Sequence, residues 1–120
     1  MRRIVHFCIG ALFFLGYAYV LVEFRPVPAG YLLFGLIATI GGAALPDILE
    51  APVDAKHRRF FHSKRMLKCS VAIFAGCVLV TILPGFSGFE KELVFAFSCL
   101  FLGYISHLLA DSTTHRGLPE

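Results

Sequence analysis

Four long apolar stretches constrain the fold of this chain more than any other feature of its sequence. They cover about residues 4–22, 29–46, 66–83 and 93–111. Hydrophobic residues make up 58% of the chain and charged residues only 16%, whereas about a quarter of residues are charged in ordinary soluble domains. A fold of 120 residues cannot bury that much apolar surface in one globular core. Because an isolated strand in lipid leaves its backbone unpaired, we predict an all-α integral membrane protein: a single domain of four transmembrane helices.

Basic residues are unevenly distributed among the segments that join these stretches. Nine of the eleven lysines and arginines lie near the N-terminus, between helices two and three or at the start of helix three, or in the C-terminal tail; Arg25 and Lys91 are the other two. Membrane proteins concentrate such residues on the cytoplasmic side. The sequence therefore predicts that both termini and the loop at 47–65 are cytoplasmic. A net charge of +3 is too small to indicate nucleic-acid binding, so we expect membrane lipids as partners and no nucleic acid.

Histidines and aspartates gather on this same predicted side of the membrane. They occur at the start of helix one, after helix two, in the following loop and at the end of helix four: His6, Asp47, His57, His62, His107 and Asp111. His107 and Asp111 are four residues apart, so their side chains lie on one helical face and can reach one ion or each other. Residues distant in sequence thus share one depth, which is the first requirement for a joint site.

The chemistry of these side chains suits a metal ion. Imidazole and carboxylate ligands bind zinc, manganese or iron, and carboxylates alone would suit magnesium. An ionisable residue in a transmembrane segment is costly and by default indicates a functional site. The alternative is a structural His–Asp pair that locks two helices together, and the sequence leaves both open. Arg58 is placed to grip a phosphate, whereas the other basic residues of the loop suit ordinary contact with lipid headgroups.

Short motifs on this side of the membrane follow one another in a definite order. They are His6, Leu-Pro-Asp-Ile at 45–48, His-Arg-Arg-Phe-Phe-His-Ser at 57–63 and Gly-Tyr-Ile-Ser-His-Leu-Leu-Ala-Asp at 103–111, followed by Thr113, Gly117 and Pro119. With these motifs the chain resembles the YdjM-like family of bacterial inner-membrane proteins, described as membrane-bound metal-dependent hydrolases. The resemblance implies a multi-pass protein of the bacterial inner membrane that binds a divalent metal, expected to be zinc, manganese or magnesium, and hydrolyses a substrate.

The resemblance also implies roles for individual residues. It makes five of them the expected metal or active-site residues: His6, Asp47, His62, His107 and Asp111. It places His57 and Arg58 beside them, and we expect His57 or Glu50 to serve as a general base. The chain departs from the family at one point. Relatives commonly show Pro-Asp-x-Asp-His, but here Leu49 and Glu50 stand where the second aspartate and the histidine would be.

Three functional hypotheses follow from these observations. The leading one is a metal-dependent hydrolase that acts at the cytoplasmic face on a phospholipid or another lipid-linked ester. The second is a non-catalytic membrane protein, regulatory or a helper in envelope stress, whose His/Asp cluster is structural or binds metal without turnover. A small transporter is disfavoured, because the charged residues lie near one face rather than in mid-membrane. The sequence leaves the oligomeric state open.

Overall fold

The computed structural model describes residues 3–50, 60–86, 88–114, 117–118 and 120. Over this part of the chain the regular structure is entirely helical: α1 (Arg3–Phe24), α2 (Ala29–Leu49), α3 (Lys64–Ile82) and α4 (Phe89–Ser112). Each helix is long and apolar enough to cross a membrane, with a mean hydropathy between 1.8 and 2.0 in its most apolar window. The predicted fold class of four transmembrane helices is confirmed, while the cytoplasmic location of the termini stays a prediction.

The second helix runs further than the apolar stretch that predicted it. It passes through Pro46 and ends at Leu49, one turn beyond the expected end at residue 46. Proline removes one backbone donor, but the turn still closes, because the N–H of Glu50 donates to the Pro46 carbonyl at 3.0 Å. Asp47 therefore lies on a helical turn, with the direction of its side chain set by α2, and not in a loop.

The third helix begins with a defined N-cap at Ser63. The Ser63 hydroxyl accepts the Met66 N–H at 3.2 Å and donates to the Phe60 carbonyl at 2.7 Å. A serine at this position satisfies one of the four backbone donors that a helix start leaves unpaired. The cap has a consequence for the residue before it: His62 is held immediately next to the first turn of α3, with only 3% of its surface exposed.

The fourth helix lies at the centre of the bundle and packs against each of the other three. Its approach to α2 is close because both helices present a glycine. A Cβ at Gly42 would collide with the Leu100 carbonyl, and one at Gly103 with the Thr39 carbonyl. Small residues that let backbones approach are the usual means of packing transmembrane helices, which gain little from the hydrophobic effect in lipid.

The two ends of the bundle differ in chemistry. At one end Arg25, which follows α1, forms a two-pronged ion pair with Glu92 of α4, at 2.8 and 3.4 Å. At the other end, where α1 and α3 begin and α2 and α4 finish, contacts join His6 to Asp111 and Asp47 to His62. The short connections at 25–28 and 83–88 place successive helices antiparallel, and this arrangement brings all the candidate site residues of the described chain to the second end.

Candidate metal centre

Three histidines and two aspartates converge at that end of the bundle, contributed by α1, α2, α4 and the segment before α3. The histidine residues are 0–3% exposed, and each aspartate side chain is 19% exposed. We refer to the five residues as the His/Asp cluster: His6, Asp47, His62, His107 and Asp111. Burying several ionisable groups is costly unless they pair or hold an ion, so their meeting here needs a chemical explanation.

Asp111 lies at the centre of this cluster and uses its two oxygens in different directions. Oδ1 is 3.4 Å from Nε2 of His6, whereas Oδ2 is 3.2 Å from Nε2 of His107 and 3.8 Å from Nε2 of His62. One carboxylate therefore contacts residues from α1, from the loop before α3 and from its own helix. The predicted pairing of His107 with Asp111 on one helical face is present, but it is part of a larger group.

His107 is oriented from outside the cluster by a backbone carbonyl. Its Nδ1–H donates to the carbonyl of Ala43 in α2 at 2.7 Å, and its ring stacks on His6 with centroids 3.9 Å apart. Because Nδ1 is engaged by Ala43, Nε2 is the ring nitrogen that faces Asp47 and Asp111, at 3.7 and 3.2 Å. Fixing the tautomer through the outer nitrogen is how proteins prepare histidine for metal binding.

His62 is oriented in the same way, but by a carboxylate. Its Nδ1–H donates to Oε2 of Glu50 at 2.9 Å, which leaves Nε2 facing Asp47 at 3.5 Å. Glu50 also accepts the backbone N–H groups of Phe60, Phe61 and His62, at 2.9, 2.9 and 3.2 Å. A carboxylate that orients the outer nitrogen of a histidine is a common partner of metal ligands.

The hydrogen bonds to Glu50 have an electrostatic consequence. Burial by itself would raise the pKa of this carboxyl, but the bonds from the His62 ring and from the Phe61 and Phe60 amides outweigh burial and hold the pKa below its ordinary value of 4.5. These bonds therefore contribute to stability in full above pH 4.5, and the contribution is lost as the pH falls through the lowered pKa.

The donor set of the cluster fits a divalent metal. The cluster contains two groups of three residues, and in each group the three ligand atoms all lie within 4.8 Å of one another. One group is His6, His107 and Asp111, and the other is Asp47, His62 and His107. Within the described residues, Nε2 of His62 and Nε2 of His107 are buried and make no hydrogen bond. Buried polar atoms normally have a partner, and imidazole nitrogens beside carboxylates are the ligand type of zinc and manganese sites.

Comparison with known proteins shows where this chain belongs. It matches the family model described as YdjM inner membrane protein over residues 1–119. The chain is a member of that family. Searches of curated proteins and of solved structures found no match. Together with the four helices that can span a membrane, the family shows a multi-pass protein of the inner membrane, as the motifs predicted.

For this YdjM family member, the structure brings together the five residues that the resemblance named as metal or active-site residues, His6, Asp47, His62, His107 and Asp111. Glu50 lies next to them, with its carboxylate turned to His62 and to the backbone of the following segment. Leu49, the position at which the resemblance led us to expect a second aspartate, is 50% exposed. His57 and Arg58 lie outside the described residues, so their proposed roles stay predictions.

Two contributors to the site were not expected from the sequence. The Ala43 carbonyl orients His107, and a backbone group leaves no signal in a sequence motif. The hydroxyl of Tyr104 donates to the Phe61 carbonyl at 2.7 Å, which ties the segment before α3 to α4 beside His62. Tyr104 stands in the Gly-Tyr-x-Ser-His motif, so its position in the motif was the available signal, although its partner was not.

Proposed function

We propose that this protein is a metal-dependent hydrolase that acts at the cytoplasmic face of the inner membrane. One observation carries the proposal: His62 and His107 are each held by a hydrogen bond at Nδ1, and both direct Nε2 toward the same two aspartates, Asp47 and Asp111. A purely structural ion pair needs neither the shared tautomer nor five convergent ligands. This prepared donor set is what a divalent metal, such as zinc, manganese or magnesium, requires.

Each residue of the His/Asp cluster has a distinct part in this proposal. Asp47, His62, His107 and Asp111 would hold the metal. His6 would be a further ligand, because its Nε2 lies 3.4 Å from Oδ1 of Asp111. Ala43 and Glu50 position the two histidine rings. A divalent metal held here would polarise the scissile group and lower the pKa of a water molecule.

The general base and the phosphate-binding group are proposed from the sequence. Glu50 accepts four hydrogen bonds, three from backbone amides and one from His62, and an oxygen so engaged is poorly placed to take a proton from water. We therefore assign Glu50 a positioning role and keep His57 as the general base. Arg58 would grip a phosphate of the substrate, because a guanidinium binds phosphate through two parallel hydrogen bonds.

The location of the cluster supports a substrate that resides in the membrane. The ligands lie at the ends of transmembrane helices, at the depth where the headgroups of lipids are found. Basic residues follow directly at the start of α3, where Lys64, Arg65 and Lys68 are exposed, and anionic headgroups are attracted to such segments. A phospholipid or another lipid-linked ester is accordingly the substrate class that we propose.

A second function is favoured by a different observation. The acidic and imidazole groups already pair with one another across α1, α2, α4 and the segment before α3, and Leu49 supplies no carboxylate where relatives commonly have one. Such a cluster would also serve a non-catalytic membrane protein, regulatory or active in envelope stress, in which the polar groups lock the helices together or bind metal without turnover.

The two functions are separated by measuring metal content and stability together. We expect the purified protein to bind a divalent metal, and His107→Ala and Asp111→Ala to weaken that binding at least about tenfold, since each removes a ligand or an essential neighbour of one. Metal content is measured by plasma mass spectrometry and affinity by competition with a chelator. Turnover is followed with a phospholipid in mixed micelles before and after the metal is removed.

The control is Glu92→Gln, which breaks the ion pair with Arg25 at the opposite end of the bundle. Because a hydrogen bond between charged groups contributes about 1.5–3 kcal/mol, this variant should unfold at a lower temperature and yet keep its metal. Equal, near-zero metal in the parent and in both cluster variants would reject the metal centre. Bound metal without turnover of any phospholipid or phosphoester would favour the non-catalytic function.

A further inference from the structure

A cavity opens beside the His/Asp cluster, between the first turns of α1 and the last turns of α2. It has a volume of about 110 Å³ and is lined by Arg3, His6, Phe7, Ala43, Ala44, Asp47 and Ile48. Two of these residues, His6 and Asp47, are members of the His/Asp cluster. The cavity therefore reaches the candidate metal ligands from the side of the bundle, between two helices.

The rim of this cavity is exposed and combines an apolar part with a cation. Ile48 is 69% exposed and Arg3 is also exposed, so among the described residues the cavity is open at the perimeter of the bundle, where the protein meets lipid. The neighbouring Ile4 is 66% exposed. An arginine among apolar side chains at the edge of the membrane matches a molecule with an anionic head and an apolar tail.

The size of the cavity limits what can enter it. A single water molecule needs about 10–15 Å³ of such space, so about 110 Å³ admits several waters or one group of the size of a phosphate. Two alkyl chains of a lipid could not fit. An amphiphile bound here would place its headgroup beside His6 and Asp47 and leave its chains outside, against Ile48 and the bilayer.

We propose that this α1–α2 cavity is a lateral entrance through which a lipid with a phosphate headgroup reaches the cluster from the bilayer, with Arg3 as the residue that binds its phosphate. The inference rests on the proposed function and deepens it by naming the path and the specificity residue. Ala44 keeps the entrance open, since it lines the cavity with a small side chain, and a larger one there would fill it. Arg3 acts by binding substrate and not by holding the metal.

The test uses the full chain in dodecyl maltoside micelles, which contain no phosphate. Two photo-crosslinking probes are compared, a phosphatidic acid and a diacylglycerol that carry the same diazirine-labelled acyl chain. Crosslinks are mapped by mass spectrometry. We expect phosphatidic acid to label the segments around Phe7 and Ile48 about tenfold more than diacylglycerol, because only its phosphate can accept a charge-assisted hydrogen bond from Arg3.

Two variants and a matched control decide the outcome. Arg3→Gln should bring the labelling ratio of the two probes close to one, with partial recovery in Arg3→Lys, and Ala44→Phe should abolish the labelling preferred by phosphatidic acid. Ala75→Phe is the control, because Ala75 lies on the exposed surface of α3 and the same enlargement there should change nothing. Ala44→Leu is included, with melting temperatures for all variants, in case the phenylalanine disturbs the fold.

Several results would overturn the proposal. These are equal labelling by the two probes, labelling spread evenly over all four helices, or labelling that survives both Arg3→Gln and a folded Ala44 variant. Protection by millimolar inorganic phosphate as effective as that by a short-chain phosphatidic acid would show an anion site that does not recognise lipid. Because crosslinking needs no turnover, selective labelling without bound metal would reject the proposed hydrolase alone, whereas metal and turnover without selective labelling would reject only the entrance.

Discussion

Glu50 shows how much a single residue contributes to the prepared state of the site. Its two oxygens accept hydrogen bonds from three consecutive backbone amides and from Nδ1 of His62. The carboxylate therefore shapes the segment before α3 and selects the tautomer of a proposed ligand at the same time.

Replacing Glu50 by glutamine tests this positioning role. Glu50→Gln keeps the size of the side chain but removes its charge, and one of its two acceptor oxygens becomes a donor that faces the amides. Loss of such an outer partner typically weakens metal affinity by about 10–100-fold. We therefore expect Glu50→Gln to weaken metal affinity by that factor, although all five cluster residues are unchanged. Affinity is measured by competition with a chelator.

The matched control for this change is Glu23→Gln. Glu23 is an exposed carboxylate near the end of α1, far along the helix from His6, and its substitution should leave metal affinity as it is. An equal effect of the two substitutions, or no effect of Glu50→Gln, would contradict the positioning role. A general base would behave differently, because its loss lowers turnover while metal affinity stays the same.

At the scale of helices, the contact between α2 and α4 determines whether the site can form. The Ala43 carbonyl reaches His107 because Gly42 and Gly103 let the two backbones come together. Asp47 of α2 and His107 of α4 also meet at this contact, with Oδ1 of Asp47 3.7 Å from Nε2 of His107. A change in the separation of α2 and α4 would therefore move an orienting group and a proposed metal ligand at once.

Two adjacent glycines of α2 allow this coupling to be tested. Gly42→Ala would place a Cβ against the Leu100 carbonyl, and because that atom is backbone the helices must separate. We expect a loss of about 1–3 kcal/mol in the free energy of unfolding, as for other overpacked sites, together with weaker metal binding. Reversible unfolding in detergent micelles and chelator competition measure the two effects.

Gly41→Ala is the control, since a Cβ at Gly41 meets no atom within 4 Å. Alanine is the better helix former by about 1 kcal/mol, so this variant should be as stable as the parent or slightly more so. Identical behaviour of the two alanine variants would show that the close approach of α2 and α4 does not support the site.

On the scale of the whole molecule, the bundle is chemically polarised along its long axis. The His/Asp cluster lies at one end, and the ion pair of Arg25 with Glu92 lies at the other. Basic residues near the start of α1 and of α3 belong to the end that carries the cluster. If positive-inside bias sets the orientation, that end faces the cytoplasm, and a lipid substrate of the proposed hydrolase would be reached from the inner leaflet.

The topology prediction is tested by labelling single cysteines in intact cells. Cysteine introduced at Lys64, near the cluster, should be protected from a membrane-impermeant maleimide until the cells are opened. Cysteine introduced at Gly85, in the connection between α3 and α4, should react in intact cells. The test is performed in a variant whose four native cysteines are replaced by serine or alanine. The reverse pattern of labelling would place the site on the periplasmic side.

Much of the fold was accessible from the sequence, because hydropathy and helical periodicity are local properties. Four apolar stretches predicted four helices, and counting residues along them placed His6, Asp47, His107 and Asp111 at one depth. The predicted topology placed His62 in the loop on the same side, and the family motifs then gave these residues their expected roles. The helix ends were less accessible: α2 continues through Pro46 to Leu49, because the turn closes on the proline carbonyl and carries Asp47 inward.

What only the tertiary structure decided is the direction of each side chain. Asp111 divides its two oxygens among three histidines, His107 is oriented by a carbonyl of another helix, and Glu50 turns to His62. These directions depend on how non-adjacent helices pack and on how closely α2 approaches α4. Sequence alone determined that the polar groups lie at one depth in the membrane, since depth follows from position along a helix, whereas packing between helices determined that they meet.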